Sequence, residues 1–115
     1  IGIGPFVIAP AVERKIGVSA LSELTIDATN WKTAYWANEK GLYARVFENS
    51  RDMDEAVDIL SNKLVSYNLR ALTEMKKALW HDTSHWDELL LKNAEISGKL
   101  ALSDYTKNAL LKFKK

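Results

Sequence analysis

The stretch Thr33–Phe47 reads T-A-Y-W-A-N-E-K-G-L-Y-A-R-V-F and predicts a capped helix, a glycine turn and a strand in succession. Thr33 can begin the helix, because a threonine hydroxyl at the N-cap accepts a hydrogen bond from a backbone N–H of the first turn. Gly41 follows the helix at a position where a residue with positive φ commonly ends one. The apolar residues then alternate as on a half-buried strand, at Leu42, Ala44 and Val46.

Helices are predicted on both sides of this stretch. Pro10 suits the first turn of a helix over 11–16, which Gly17 ends, and a further helix begins at Ser19. Downstream, apolar residues repeat at helical spacing in three stripes: Met53, Ala56, Val57, Leu60 and Leu64; Leu72, Met75 and Leu79; Trp86, Leu89, Leu90 and Ala94. The predicted boundaries are a start at Asn49, a break at 66–68, a capping-box-like signal at Ser84, an end or a loosening of the helix at Gly98, and a last helix from Ser103 to Phe113.

The predicted fold is therefore mainly α with one or two short strands, at 1–3 and 42–46. A short strand on its own cannot satisfy its backbone hydrogen-bonding groups, so each of these needs a partner strand. None is evident in the sequence. The chain is accordingly expected to be part of a larger sheet protein.

Composition narrows the function classes. The chain of 115 residues is long enough for one modest domain, and its 16 basic and 15 acidic residues do not indicate a nucleic-acid surface. It has no cysteine, which excludes thiolate catalysis and disulfides. It also lacks an apolar run of transmembrane length and the basic start of a signal peptide, so we expect no membrane partner and a cytoplasmic location.

For three candidate sites, a structural interpretation is better supported than a functional one. Gly2 and Gly4 lack the rest of a dinucleotide-binding motif. His81 and His85 are four residues apart, but Thr83 and Ser84 between them favour a break between helices, so no metal site is predicted. Glu13 lies in a charged run typical of a solvated helix face, which argues against acid–base catalysis.

The tryptophans and methionines are expected to be structural. Four tryptophans are many for this length, and we interpret them as core or interface anchors, with stacking on a nucleobase as the alternative. Met53 and Met75 lie on the apolar stripes and are expected to pack in the core.

Over nearly its whole length the chain resembles the enoyl-CoA hydratase/isomerase (crotonase) family. The resemblance is strongest in the pattern A-x-x-A-x-x-x-G-L-x-x-x-V within Thr33–Val46. It begins at Ile1-Gly2-Ile3-Gly4, which is similar to the family's stretch just after its second catalytic glutamate, so that glutamate would directly precede Ile1. Other matching positions are Pro10, Ile16-Gly17, Ala56, Leu60, Leu64, Lys76 and the ending from Ser103-Asp104 to Phe113.

The resemblance implies the C-terminal part of an α/β crotonase (ClpP/crotonase-like) fold. Residues 1–48 would be the end of the crotonase core and residues 49–115 a C-terminal helical oligomerisation region. The enzyme would act on acyl-CoA thioesters through a stabilised enolate, as a lyase or isomerase of fatty acid metabolism, and assemble as a trimer or hexamer. Coenzyme A would be part of the substrate, with no separate cofactor.

The resemblance also implies where the site lies. The catalytic glutamates and the oxyanion hole would come from the N-terminal half, so the chain would hold no catalytic residue and be inactive alone. Gly4, Pro5, Phe6 and Val7 would border the acyl pocket. The loop Pro5–Ala9 is shorter than is usual in the family, which implies a different pocket. The alternative function is a self-standing helical protein-interaction module, whose stripes would bury one another.

Overall fold

Six helices make up the ordered secondary structure of the computed structural model, which describes residues 1–112. They are α1 (Ala9–Ile26), α2 (Ala34–Glu39), α3 (Ser50–Ser66), α4 (Leu69–Leu79), α5 (Trp86–Ala101) and α6 (Asp104–Lys112). The mainly α prediction is confirmed. Phe113, the predicted end of the last helix, lies outside the described residues.

Helix α1 is broken at Gly17, as the sequence predicts. Pro10 lies in its first turn, where a missing N–H removes no helical hydrogen bond. Gly17 has φ 73° and ψ 164°, values far from helical, so the helix consists of two segments joined at a kink. The helical turn starts at Ala9, two residues earlier than predicted.

Helix α2 and its glycine turn also match the prediction. Thr33 Oγ1 accepts a hydrogen bond from the backbone N–H of Trp36 at 3.1 Å. At the other end Gly41 has φ 82°, and its N–H donates to the carbonyl oxygen of Asn38 at 3.0 Å. The N–H of Leu42 donates to the carbonyl oxygen of Ala37 at 2.8 Å. This pair of bonds is the Schellman motif, in which a left-handed residue ends the helix.

The two predicted strands are wrong. No strand forms within residues 1–112, and residues 1–3 and 42–46 lie outside any regular element. The alternation of Leu42, Ala44 and Val46 matches a strand, but β-structure requires a second strand to pair with the backbone. The described chain supplies none, so the segment remains unpaired.

Helices α3 and α4 begin at asparagine caps. Asn49 Oδ1 accepts from the N–H of Asp52 at 2.9 Å, which confirms the predicted start. Asn68 Oδ1 accepts from the N–H of Ala71 at 3.0 Å and so begins α4 directly after the predicted break. Local side-chain bonds of this kind satisfy N–H groups that the first helical turn leaves without partners.

The predicted cap of α5 at Ser84 is wrong, and so is an end at Gly98. The helix begins at Trp86, and Ser84 does not cap it: His85 stands at the N-cap with helical φ −82° and ψ −3°, so the preceding turn runs directly into the helix. A capping side chain needs an extended residue at that point. Gly98 does not end α5, which continues to Ala101 because good helix formers follow the glycine. Ser103 does cap α6, accepting from the N–H of Thr106 at 3.3 Å.

The helices form an open arrangement. Among the described residues only α5 and α6 pack directly against each other. The radius of gyration is 18.4 Å, whereas a compact domain of this length has a value of roughly 13 Å. Of residues 1–112, only Ala20, Ala37 and Thr106 are buried.

The predicted stripes therefore do not bury one another. On α3 the side chains of Met53, Val57 and Leu60 are 44%, 54% and 50% exposed. On α4 Met75 and Leu79 are exposed as well, so the prediction that both methionines lie in a core is wrong for this chain. Apolar faces of this extent on a single chain are candidate interaction surfaces.

Candidate functional site

The loop Gly4–Val7 lies between the N-terminal residues and α1, where helices α5 and α6 hold it. The carbonyl oxygen of Phe6 accepts a hydrogen bond from Asn93 Nδ2 of α5 at 2.8 Å. Before the loop, Gly2 lies against α6: a Cβ at this position would come within 2.6 Å of Tyr105 Cδ1 and 2.9 Å of Thr106 Oγ1. Only glycine permits this approach, so α5 and α6 each fix one point of the segment.

Phe6 forms part of an open groove of about 670 Å³, which we call the α1–α5 groove. Its walls are the first half of α1, the turn between α4 and α5, and the start of α5. The polar side chains along it are those of Glu13, Arg14, Asp82, Thr83, His85 and Asn93. Of the four residues predicted to border an acyl pocket, Phe6 lines this groove, while Gly4, Pro5 and Val7 do not.

Arg14 connects the α1 wall of the α1–α5 groove to the wall formed by the turn between α4 and α5. Its Nη2 lies 2.9 Å from Asp82 Oδ1 and also donates to the carbonyl oxygen of Leu79 at the end of α4. The guanidinium carbon lies 5.5 Å from the ring centroid of Trp80, within the range of a cation–π interaction. The charge of Arg14 is thus paired with Asp82 and its position is fixed, which leaves it little capacity to bind a substrate anion.

The tryptophans separate into different environments. Trp80 and Trp86 pack edge to face, with centroids 5.8 Å apart and planes at 87°. Trp36 lies beneath the Lys32 ammonium at 6.0 Å. Trp31 is 93% exposed. The first two pack against each other across the α4–α5 turn, with Trp80 still 47% exposed, whereas Trp31 makes almost no contact with the described chain.

The histidines lie where the sequence predicts, in the turn between α4 and α5. His81 Nδ1 donates to the carbonyl oxygen of Ala78 at 2.8 Å and so caps the end of α4. His85 lines the α1–α5 groove. Residues 1–112 contain no group of three or more histidine, aspartate or glutamate side chains arranged to hold a metal ion.

A second, more apolar groove of about 840 Å³ lies between the unpaired segment 42–48 and α3. One wall is the stripe of Met53, Val57 and Leu60. At its edge the hydroxyl of Tyr35 donates to Glu48 Oε1 at 2.5 Å, and this bond to a carboxylate raises the pKa of Tyr35 above its ordinary value. The lining of this groove is mainly apolar, which is typical of a surface that packs against another apolar surface.

Lys32 forms ion pairs with the second half of α1, after the kink at Gly17. Its Nζ lies 2.7 Å from Glu23 Oε1 and 3.6 Å from Asp27 Oδ2. The hydrogen bond to Glu23 raises the pKa of Lys32, as do the charges of both carboxylates, while partial burial acts in the opposite direction. The two halves of α1 are therefore fixed by different cations, Arg14 before the Gly17 kink and Lys32 after it.

The sequence gives no signal for Asn93 or for the bonds of Arg14. Asn93 lies within α5, where its spacing marks no motif. Arg14 belongs to the charged run 13–15, and the interpretation of a solvated face applies to its exposed neighbours Glu13 and Lys15. Both contacts join residues that are far apart in sequence, and local patterns do not encode such pairs.

Comparisons of the chain with known protein families, with curated proteins and with solved structures find no match. In the described part of the chain, no helix is both long and apolar enough to cross a membrane.

Proposed function

We propose that this chain is the C-terminal part of a cytoplasmic enzyme of the enoyl-CoA hydratase/isomerase family, with the α/β crotonase fold. The observation that carries the proposal is the helix–turn unit from Thr33 to Leu42. Its N-cap bond and its Schellman turn at Gly41 occur at the positions on which the resemblance is strongest. The unpaired segment after Gly41 is then the place where a partner strand of the missing half adds.

The open apolar faces support the same proposal. A chain with three buried residues among 1–112 does not form a core of its own. In the complete enzyme, the groove between segment 42–48 and α3 is covered by the rest of the core, and residues 49–115 serve as the oligomerisation region of a trimer or hexamer. Burial of these faces would supply the stabilisation that the single chain lacks.

The chemistry proposed for the complete enzyme is formation of an enolate from an acyl-CoA thioester. Backbone N–H groups of an oxyanion hole stabilise the charge that develops on the thioester oxygen, which is a large effect in a water-poor site. Two glutamates position and activate the water that adds to the double bond. All of these groups belong to the N-terminal half, so the present chain contributes the Gly4–Val7 border of the acyl pocket and no catalytic residue.

A second candidate is a helical protein-interaction module. The exposed stripes of α3 and α4, together with the exposed Trp31, favour it, because large apolar and aromatic side chains dominate protein interfaces. Since the stripes do not cover one another, such a module would depend on its partner for most of its core. The enzyme proposal accounts for the same faces and for the Thr33–Leu42 unit, so it is the one we favour.

The test compares the native protein that contains this sequence with the 115-residue chain. Two reactions are followed: hydration of crotonyl-CoA, and exchange of the α-proton of butyryl-CoA in deuterium oxide, which reports enolate formation directly. We expect the native protein to catalyse at least the exchange and the chain alone to catalyse neither. Activity of the chain alone would overturn the assignment of catalysis to the missing half, and a native protein inactive in both reactions would overturn the proposed function.

A further inference from the structure

The hydrogen bond between Asn93 and Phe6 is the contact that ties the Gly4–Val7 loop to a helix. The bond is 2.8 Å long and partly buried, and its donor lies in the interior of α5. Asparagine is a poor residue for a helix interior, since its side chain competes for backbone hydrogen bonds elsewhere. Here its amide instead satisfies a carbonyl group that the loop itself leaves without a partner.

The other end of the segment is fixed independently. Thr106 is fully buried, and Gly2 lies directly over it and over the ring of Tyr105. Between this contact and the bond at Phe6, the loop bridges α6 and α5, the two helices that pack against each other. Loss of the Asn93 bond would therefore free the loop at Phe6 while the Gly2 contact still holds its start.

The position of the Phe6 backbone decides where its ring lies. The ring is half-buried and lines the α1–α5 groove beside Asn93. A shift of the carbonyl away from Asn93 moves the ring along the groove and changes the space that is left beside the loop. The side-chain amide of Asn93 thus holds the one residue of the Gly4–Val7 segment that lines the α1–α5 groove.

We infer that Asn93 is a positioning residue, which holds Phe6 through its backbone carbonyl and thereby determines the length of acyl chain that the enzyme accepts. This inference rests on the proposed function. It assigns Asn93 no contact with the thioester and no part in proton transfer. Its removal should therefore alter substrate discrimination rather than the chemical step.

The variant that tests the inference is Asn93→Asp. It keeps the shape of the side chain but, when ionised, replaces the donating amide by an acceptor that faces a carbonyl oxygen. Asn108→Asp on the exposed part of α6 makes the same charge change away from the loop and is the matched control. Asn93→Gln retains an amide donor and should restore part of the native behaviour.

Two measurements on the native protein separate the steps of the argument. Hydrogen exchange should become roughly fivefold faster in the Gly4–Val7 segment of Asn93→Asp, the scale of one lost hydrogen bond, with α5 and α6 unchanged. Steady-state kinetics with crotonyl-CoA and decenoyl-CoA should show the ratio of their KM values altered by a similar factor, roughly fivefold, while kcat for crotonyl-CoA is kept. Asn108→Asp should change neither result.

The outcomes are distinct. Unchanged exchange in the loop would overturn the inference whatever the kinetics show. Faster exchange with an unaltered KM ratio, or an equal loss of kcat on both substrates, would also overturn it, because Asn93 would then act on folding alone. If the native protein lacks acyl-CoA chemistry altogether, the proposed function fails, and with it the assignment of chain-length selection, whereas the exchange result still establishes whether Asn93 holds the loop.

Discussion

Arg14 and Asp82 form an ion pair of 2.9 Å that connects the first half of α1 to the turn between α4 and α5. The same guanidinium lies over the Trp80 ring, next to the edge-to-face pair of Trp80 and Trp86. One side chain thus joins an ion pair, an aromatic ring and a helix end. Because the backbones of α1 and α4 do not approach each other closely, the side chain of Arg14 is what connects α1 to the turn across the α1–α5 groove.

Replacement of Arg14 by alanine should lower the free energy of unfolding by about 1–2 kcal/mol. The cation–π contact contributes about 0.5–1 kcal/mol, and the half-exposed ion pair adds a similar amount after screening by solvent. Arg14→Lys should lose less, since it keeps the charge but not the planar group. Urea unfolding followed by tryptophan fluorescence measures the effect, and Lys15→Ala, on the exposed side of α1, is the control. Equal stabilities of Arg14→Ala and Lys15→Ala would contradict the prediction.

Gly41→Ala should destabilise the protein by about 1 kcal/mol or somewhat more, because an alanine at a positive φ brings its Cβ close to a carbonyl oxygen. The space around Gly41 is sufficient: the nearest atom to an added Cβ is the Lys15 carbonyl oxygen at 3.5 Å. The cost therefore comes from the backbone of the Schellman turn. Gly41→Asn, which tolerates the left-handed region better, should recover part of the stability in thermal unfolding.

The substitution Gly98→Ala should stabilise the protein, in contrast to Gly41→Ala. Gly98 lies inside α5, and no atom lies within 4 Å of an added Cβ, so alanine gains helix propensity without a clash. A gain of up to about 1 kcal/mol in the free energy of unfolding is expected. Circular dichroism during thermal unfolding measures it beside Gly41→Ala. A loss of stability would mean that α5 has the helical break at Gly98 that its sequence suggests.

The bond from Tyr35 to Glu48 predicts a specific behaviour in alkali. The pKa of Tyr35 is raised above 10.0, so the folded state holds this proton more firmly than the unfolded state. Its contribution to stability is complete below the unfolded pKa and is lost as the pH rises through the higher folded value. A spectroscopic titration of phenolate should show a component above pH 10.0 that Tyr35→Phe removes. Glu48→Gln should move the pKa of Tyr35 back toward its ordinary value, and an unchanged titration in both variants would contradict the bond.

Leu60→Ala distinguishes the single chain from the complete protein. Leu60 is 50% exposed in the chain, so its truncation there should cost less than the 2–5 kcal/mol of a buried leucine. In the native protein, where we propose that the rest of the enzyme covers α3, the same substitution should have a cost that approaches that range. Ser61→Ala, an exposed neighbour, is the control in both backgrounds. A small effect in both would argue that the apolar face of α3 stays open.

The parts of the fold that sequence predicts are those determined by neighbouring residues. Thr33, Asn49 and Ser103 each accept a hydrogen bond from a backbone N–H three residues later, so the signal and its consequence lie within one turn. Gly41 ends α2 through two local bonds, from its own N–H to Asn38 three positions earlier and from the N–H of Leu42 to Ala37 five positions earlier. Such contacts form without help from the rest of the chain.

The parts that sequence fails to predict depend on distant groups. Segment 42–46 has the alternation of a strand but no partner among the described residues, and Ser84 has the composition of a cap but lies in a turn that continues into the helix. The contacts of Arg14 with Asp82 and of Asn93 with Phe6 carry no local pattern at all. The contacts that hold the Gly4–Val7 loop are of this distant kind, so no local pattern in the sequence indicates the residues that make them.

The open arrangement of the helices has a hydrodynamic consequence. A radius of gyration of 18.4 Å belongs, for a compact protein, to a chain of roughly 270 residues. A single copy of this chain would therefore elute from a size-exclusion column with the apparent mass of a dimer. Its identity as a monomer would be evident only from a measurement of mass that does not depend on shape, such as light scattering.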